Sequence, residues 1–133
     1  MEIINDIMKT NIRVSQDMKH KLQALAEGSD IANTLTFLLE EYNAEWEKHT
    51  EDEMILMSIK FKTDRKSKYD KFNESLLAKD DVITYKGDAK THKTFKHHCD
   101  TIGITFAEGV RRVVNQAYDR YEKVLQAQQI GAN

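Results

Sequence analysis

Hydrogen-bonding side chains alternate with apolar ones in two short stretches of this 133-residue chain. The first stretch runs from Asn11 to Ser15 and the second from Ser58 to Lys62. Alternate residues of a strand point to the same face, so each stretch would present one polar face. Amide, hydroxyl, guanidinium and ammonium groups on such a face can bond to base edges and phosphates of nucleic acids. The candidate residues for this chemistry are Asn11, Arg13, Ser15, Ser58, Lys60 and Lys62.

The two stretches belong to a longer repeat that aligns without a gap at a shift of 47 residues. Ile12 and Val14 align with Ile59 and Phe61, which gives both copies the period of two that is typical of a strand. The apolar residues that follow have helical spacing in both copies: Met18, Leu22 and Leu25, then Tyr69, Phe72 and Leu76. We therefore predict that a strand with a polar face, followed directly by an amphipathic helix, occurs twice.

Composition limits the class of protein. The chain has no proline, is 40% apolar and 32% charged, which predicts a globular and mostly helical protein. The single cysteine gives no disulfide framework, and the first ten residues resemble neither a signal peptide nor a membrane span. We therefore expect a cytoplasmic protein without a membrane segment.

Charge is distributed unevenly although the net charge is only −2. Residues 1–53 contain 5 Lys and Arg against 12 Asp and Glu, whereas residues 54–100 contain 11 against 7. A phosphate-bearing partner is therefore expected to meet the middle of the chain, and the first half is expected to be acidic.

The remaining pattern predicts two units, residues 1–50 and residues 51–133. In the first unit, Gly28 separates a helix over about 16–27 from a longer one over about 30–49. The second unit has more elements. They are a strand at Met54–Lys62, a helix at about 65–78, a strand at Val82–Lys86, and helices at Ala89–Thr101 and about 106–126. Residues 2–9 give no clear prediction beyond a short helix or an arm. The aromatic residues Tyr42, Trp46, Tyr118 and Tyr121 are expected where the long helices pack.

A second alignment of the two units is also open. In it, Val82–Lys86 is the strand that corresponds to residues 11–15, and the two helices after it correspond to the two helices of the first unit. The apolar stripe of the last helix does align with that of the helix over 30–49, at a shift of 75 residues. The ungapped repeat favours Ser58–Lys62 as the strand that contacts a ligand, and we give that alignment preference.

The run His97-His98-Cys99-Asp100 invites interpretation as a metal or thiol site. Phe95, Cys99 and Ile102 follow helical spacing, so the cysteine is expected on a buried stripe as a small apolar residue. The chain lacks the spacings typical of zinc sites, nucleophile elbows and phosphate-binding loops. We expect no enzyme activity, no metal and no cofactor. The nearby run of Lys90, His92, Lys93, Lys96, His97 and His98 is expected to be a polar helix face.

The strand Asn11–Ser15, followed by Leu22, Leu25, Gly28 and the apolar stripe from Ile31 to Trp46, resembles the ribbon-helix-helix DNA-binding family of MetJ and Arc. Residues Gly103–Tyr121 also resemble the junction between the two helices of that family. The resemblance implies a mainly α-helical fold with short β-strands. It implies tandem ribbon-helix-helix-like units that form an internal pseudo-dimer, similar to the tandem accessory proteins of plasmid conjugation.

The resemblance also implies sequence-specific binding of double-stranded DNA through paired strands in the major groove. The role would be that of a plasmid or phage transcriptional regulator, or of an accessory protein at a transfer origin. Arg13 and Asn11 suit guanine and adenine edges, Lys66 and Lys68 suit phosphates, and the helix starts near Ser29 and Thr105 would offer backbone N–H groups to phosphates. The insertion in the second unit departs from the family pattern.

Two alternatives come from other kinds of protein. The acidic face of the helix over 30–49 favours a protein-interaction module, antitoxin-like or a phage adaptor, that binds a partner protein or a second copy of the chain. The junction near Gly103 could instead belong to a helix-turn-helix, with Val82–Lys86 in a wing. DNA binding is the leading hypothesis, because the ungapped strand–helix repeat places Arg13 and Lys60 at matching positions.

Overall fold

The structure, a computed structural model, describes residues 7–57 and 80–131. It is mainly helical, with a small two-stranded antiparallel sheet. The elements in chain order are strand β1 (Ile7–Val14), helices α1 (Gln16–Ala26) and α2 (Ile31–Trp46), the helical residues 51–57 (α3), strand β2 (Asp81–Asp88), and helices α4 (Ala89–Ile102) and α5 (Phe106–Gly131). Along the described part of the chain, no helix is both long enough and apolar enough to cross a membrane.

Strand β1 pairs with β2 along its whole length, from Ile7 opposite Asp88 to Val14 opposite Asp81. The alternation read from the sequence holds in both strands. Ile12 and Ile83, which lie opposite each other, are 2% and 1% exposed, whereas the residues between the buried positions face outward. The sheet is therefore a ribbon with one apolar face against the helices and one open face.

The partner of β1 differs from the one we preferred. Within the described residues β1 pairs with β2, the strand of the second alignment, and Ser58–Lys62 lies outside those residues, as does the predicted helix over 65–78. Strand β1 also starts earlier than predicted, because residues 7–9, read as a helix or an arm, are part of it.

Residues 54–57, predicted to begin a strand, are helical. The physical reason lies just upstream. The Glu53 backbone N–H donates to Thr50 Oγ1 (3.1 Å), and the Thr50 backbone N–H donates to Glu53 Oε1 (2.7 Å). This reciprocal pair is a capping box, which starts a helix at this point and overrides the weak strand pattern of the next four residues.

Side-chain caps start each of the four longer helices. Ser15 caps α1, Asp30 caps α2 and Asp88 caps α4, each by accepting a hydrogen bond from a backbone N–H of the first turn. The Thr105 hydroxyl accepts from the Glu108 N–H in the same way at the start of α5 (3.1 Å). The caps satisfy backbone donors that the helix itself leaves unpaired.

Helices α1 and α4 both end in left-handed backbone. Glu27 has φ 50° and is followed by Gly28 at φ 88°, and Gly103 has φ 78°. These turns reverse the chain so that α2 and α5 can pack back onto the preceding helix.

One buried cluster joins both halves of the chain. Helix α1 packs against α5, and α2 packs against α4 and β2. The buried members of the cluster are Ile12, Val14, Met18, Leu22, Leu35, Leu38, Leu39, Ile83, Tyr85, Phe95, Cys99, Val110, Val113, Val114 and Ala117.

Cys99 is 2% exposed, as its helical spacing predicted, and burial raises the pKa of its thiol to about 12. It is an apolar packing residue at neutral pH.

The aromatic residues of the long helices do not form a single contact between α2 and α5. Tyr42 packs edge-on against Phe95, and Trp46 stacks on His98 with ring centroids 4.0 Å apart, so this pair contacts α4. Tyr118 and Tyr121 contact each other, and the Lys21 ammonium of α1 lies over the Tyr118 ring. The sequence predicted these four residues where α2 and α5 pack. The ring contacts of Tyr42 and Trp46 with other elements are made to α4, and Tyr118 receives the ammonium of α1.

Candidate nucleic-acid interface

The open face of the ribbon carries three cationic side chains and two neutral hydrogen-bonding ones. Lys9 lies opposite Lys86, Asn11 opposite Thr84, and Arg13 opposite Val82. Lys9, Asn11, Arg13 and Lys86 are exposed and Thr84 is half-buried. We call these five residues, Lys9, Asn11, Arg13, Thr84 and Lys86, the ribbon face. It presents charged and neutral hydrogen-bond donors, and proteins that bind DNA use side chains of both kinds.

The middle of the ribbon face is a cross-strand hydrogen bond. The Thr84 hydroxyl Oγ1 donates to Asn11 Oδ1 over 2.9 Å. Such directly opposed side chains are the natural contact pair of an antiparallel ribbon. The bond places Asn11 Oδ1 toward the hydroxyl and the Nδ2 hydrogens on the side away from it.

Helix side chains contact the backbone of two of the three cationic positions of the ribbon. The Arg111 guanidinium of α5 donates through Nη1 to the Arg13 carbonyl (3.0 Å). The Thr36 hydroxyl of α2 lies 3.2 Å from the Lys86 carbonyl and 3.0 Å from the Ala32 carbonyl, and the two carbonyls share its single hydrogen. Backbone anchoring of this kind fixes the strand on which an exposed side chain stands.

A third contact ties the ribbon to α4. Thr10 Oγ1 lies 3.0 Å from His92 Nε2, and the His92 ring stacks on Phe106. His92 Nδ1 is buried without a hydrogen-bond partner among the described residues, and burial lowers the pKa of this histidine. Burial beneath the ribbon therefore favours the neutral form of the His92 ring over the protonated form.

Acidic groups stand at both ends of the ribbon. Asp81 accepts a hydrogen bond from the Val82 backbone N–H (2.8 Å) and pairs with Lys19 (3.2 Å), and these contacts lower the pKa of its carboxyl group. Asp88 accepts from the Thr91 N–H (2.9 Å), which likewise lowers its pKa. Both carboxylates stay ionised at neutral pH, so positive charge is confined to the middle of the ribbon.

The predicted site residues lie in different places. Asn11 and Arg13 are on the ribbon face, whereas Ser15, predicted beside them, is 3% exposed because its hydroxyl caps α1 at the Met18 N–H (3.1 Å). Ser29 is exposed in the turn before α2, where Asp30 is the capping residue, and Thr105 is exposed as the cap of α5. The remaining candidates fall outside the described residues: Ser58, Lys60, Lys62, Lys66 and Lys68.

The structure adds three residues to the candidates: Lys9, Thr84 and Lys86. Their signal was present in the sequence as the outward positions of two alternating runs, Met8 to Val14 and Val82 to Lys86. What the sequence could not show is that these two runs pair with each other.

The basic run of α4 divides between two environments. Lys90, Lys93, Lys96 and His97 are exposed, and Lys96 pairs with Asp100 (3.2 Å). His92 and His98 are buried and take part in packing instead. Searched over residues 7–57 and 80–131, the side chains of His, Cys, Asp and Glu form no group of three placed to hold a metal ion.

Comparison of the chain with models of known protein families, with curated proteins and with solved structures found no match in any of the three.

Proposed function

We propose that this protein binds double-stranded DNA sequence-specifically by placing the β1–β2 ribbon in the major groove. The observation that carries the proposal is the ribbon face, with three cations and an asparagine–threonine pair on the exposed side of a two-stranded antiparallel sheet. The major groove is wide enough to admit a two-stranded ribbon, and its base edges are distinguished by hydrogen bonds.

We further propose that the chain is an internal pseudo-dimer of two ribbon-helix-helix-like units, β1-α1-α2 and β2-α4-α5. The caps Ser15 and Asp88 are 73 positions apart, and so are the starts of α1 and α4. The starts of α2 and α5 are 75 apart. At these shifts Asn11 corresponds to Thr84, its own partner in the sheet, so an approximate two-fold axis would pass between them.

The anchoring bonds support the same correspondence. Arg13 corresponds to Lys86 at a shift of 73, and Thr36 corresponds to Arg111 at a shift of 75. Each of these helix residues lies within hydrogen-bond distance of the carbonyl of the strand residue in the other unit, and Thr36 shares its hydrogen with the Ala32 carbonyl. Contacts at equivalent positions of the two units support the proposed pseudo-dimer.

The units differ in what they would offer DNA. Arg13 and Asn11 suit base edges, and Lys9 and Lys86 suit either guanine or phosphate. The start of α5 is capped by neutral Thr105, whereas α2 starts with the carboxylate of Asp30. Glu108 also places a carboxylate in the first turn of α5, so the difference between the units lies in their ribbon residues. An asymmetric DNA site would follow from that difference. As the family resemblance implies, the role would be that of a plasmid or phage regulator or of a transfer-origin accessory protein.

Selection from a randomised duplex library, followed by titration of the enriched sequence, tests the proposal. We expect Arg13→Ala to weaken binding of that sequence about tenfold, the equivalent of about 1.4 kcal/mol, and to relax preference at one base pair. Binding of the wild-type protein should weaken with rising salt as phosphate contacts are lost.

Lys93→Ala is the matched control, since Lys93 is an exposed lysine of α4 and is not one of the ribbon-face residues. It should change affinity by less than about twofold, as surface substitutions outside an interface do. No enrichment of any sequence, or equal effects of Arg13→Ala and Lys93→Ala, would exclude the ribbon as the DNA-binding surface.

A second candidate function has its own observation. On α2, Phe37 is 55% exposed, and Glu40, Glu41 and Glu45 are exposed on the same helix. An exposed aromatic ring among acidic residues suits a basic partner protein. Phe37→Ser should leave DNA binding intact under the first proposal, whereas under the second it should abolish recovery of a stoichiometric partner. The helix-turn-helix alternative used β2 as a wing, and the full pairing of β2 with β1 favours the ribbon instead.

A further inference from the structure

We infer that Thr84 is a positioning residue for DNA recognition, because it fixes the amide of Asn11 in the orientation that reads an adenine. The inference rests on the proposed function and concerns its specificity. It starts from the cross-strand bond at the centre of the ribbon face, where Thr84 Oγ1 donates to Asn11 Oδ1 over 2.9 Å.

An asparagine amide can turn through half a circle and exchange its oxygen with its NH2 group. Only one of the two orientations matches a given adenine, whose N6 donates and whose N7 accepts. In the structure the Thr84 hydroxyl donates to the amide oxygen, which places Oδ1 on the side of β2 and Nδ2 away from it. A turned amide would have to donate Nδ2–H to the same hydroxyl instead, and we infer that the bound amide keeps the orientation of the structure.

The Asn11 amide remains competent to bind a base while it is held. A carbonyl oxygen has two acceptor positions, and Thr84 occupies one of them, which leaves the other for the adenine N6–H. Nδ2 keeps both hydrogens for N7 and for a neighbouring acceptor. Because the orientation exists before DNA arrives, less conformational freedom is lost on binding.

The pair also gives the site a direction. A ribbon made by two identical chains would place the same residue on both strands at its centre, but here Asn11 faces threonine. Adenine would therefore be preferred on one strand of the central base pair and not on the other. The selected DNA sequence is expected to lack two-fold symmetry at that base pair.

The test compares binding of the selected duplex with a duplex in which the central A·T pair is reversed. We expect the wild-type protein to discriminate between them by about fivefold to 150-fold, the range of one bidentate base contact. Thr84→Val removes the hydroxyl at constant shape and should reduce the ratio to about twofold or less. Thr84→Ser keeps the donor and should preserve discrimination.

A double-mutant cycle separates positioning from independent contact. Asn11→Ala should abolish discrimination, and adding Thr84→Val to it should produce no further loss. Additive losses, or full discrimination by Thr84→Val, would overturn the inference. Both outcomes leave the proposed function standing, since that depends on salt-sensitive DNA binding and on Arg13. If no duplex is bound in the selection, the proposed function fails first and this inference fails with it.

Discussion

Gly109→Ala should destabilise the protein by about 2 kcal/mol, although alanine in place of a mid-helix glycine ordinarily stabilises a helix by about 0.5–1 kcal/mol. The opposite sign follows from how closely α5 crosses α4. A Cβ at Gly109 would overlap Cys99 Sγ and lie 3.1 Å from two ring carbons of Phe95. Both neighbours are buried in the core, so neither can move aside without disturbing packing. Urea unfolding followed by circular dichroism measures the difference.

Removing the sulfur should cancel the destabilisation. In a Cys99→Ala background the main obstacle to the new methyl group is gone, so Gly109→Ala is expected to be close to neutral there. The double-mutant cycle of Gly109→Ala and Cys99→Ala would give a favourable coupling energy of about 1–2 kcal/mol between the two substitutions. Gln116→Ala, at an exposed position of the same helix, is the control and should stay within about 0.5 kcal/mol of wild type. A stabilised Gly109→Ala protein would show that the two helices do not approach so closely.

Local signals in the sequence predicted the elements well. The alternating runs at Ile12–Val14 and Val82–Lys86 are strands, and the left-handed ends near Gly28 and Gly103 are where the glycines indicated. These features depend on period and on backbone conformation, which a few neighbouring residues determine.

Strand pairing was not predictable in the same way. The repeat at a shift of 47 compared side-chain types, whereas pairing depends on which apolar faces meet in the core. Ile12 and Ile83 are buried opposite each other, and Tyr85 reaches back to donate to the Asp88 carbonyl (2.7 Å). Contacts between residues some 70 positions apart have no local signature, so the better sequence match was preferred.

The candidate site shows the same division. Asn11 and Arg13 were identified from alternation alone, and both are on the ribbon face. Ser15 follows the same alternation as Asn11 and Arg13, but it lies just after the last residue of β1. Its hydroxyl accepts a hydrogen bond from the first turn of α1 instead of facing outward. Thr84 and Lys86 could be recognised only once β2 was known to be the partner strand. The wrong site predictions therefore came from the end of a strand and from the choice of the paired strand. The correct ones came from the alternation of apolar and polar residues.

Lowering the pH from 6.5 to 4 should reduce the stability of the protein, and His98 should account for much of the loss. His98 is 5% exposed, Nδ1 lies 3.0 Å from Asn43 Oδ1, and the Asn43 amide in turn donates to the Thr91 carbonyl (3.2 Å). Burial, with a smaller contribution from the positive charge that His97 can carry, lowers the pKa of His98 from 6.5 to about 4.

The sign follows from proton uptake. Between pH 6.5 and about 4 the unfolded chain binds a proton at this histidine and the folded protein does not, so acid favours unfolding. The stabilisation is fully present above pH 6.5 and is lost as pH falls toward 4. Allowing for screening by nearby solvent, we expect a loss of about 2 kcal/mol. His92, whose pKa is also lowered by burial, adds to it in the same direction.

His98→Gln isolates the effect, because glutamine can donate to Asn43 and does not titrate. Its free energy of unfolding, measured in urea from pH 7 to pH 4.5, should fall less steeply than that of the wild type. Lys93→Gln, at an exposed position of the same helix, should keep the wild-type slope. Carboxylates with lowered pKa values, Asp81 and Asp88 among them, contribute mainly at lower pH. The change in the free energy of unfolding between pH 7 and pH 4.5 therefore reports mainly on the histidines. If that free energy falls equally steeply with pH in His98→Gln and in the wild type, His98 is not the cause.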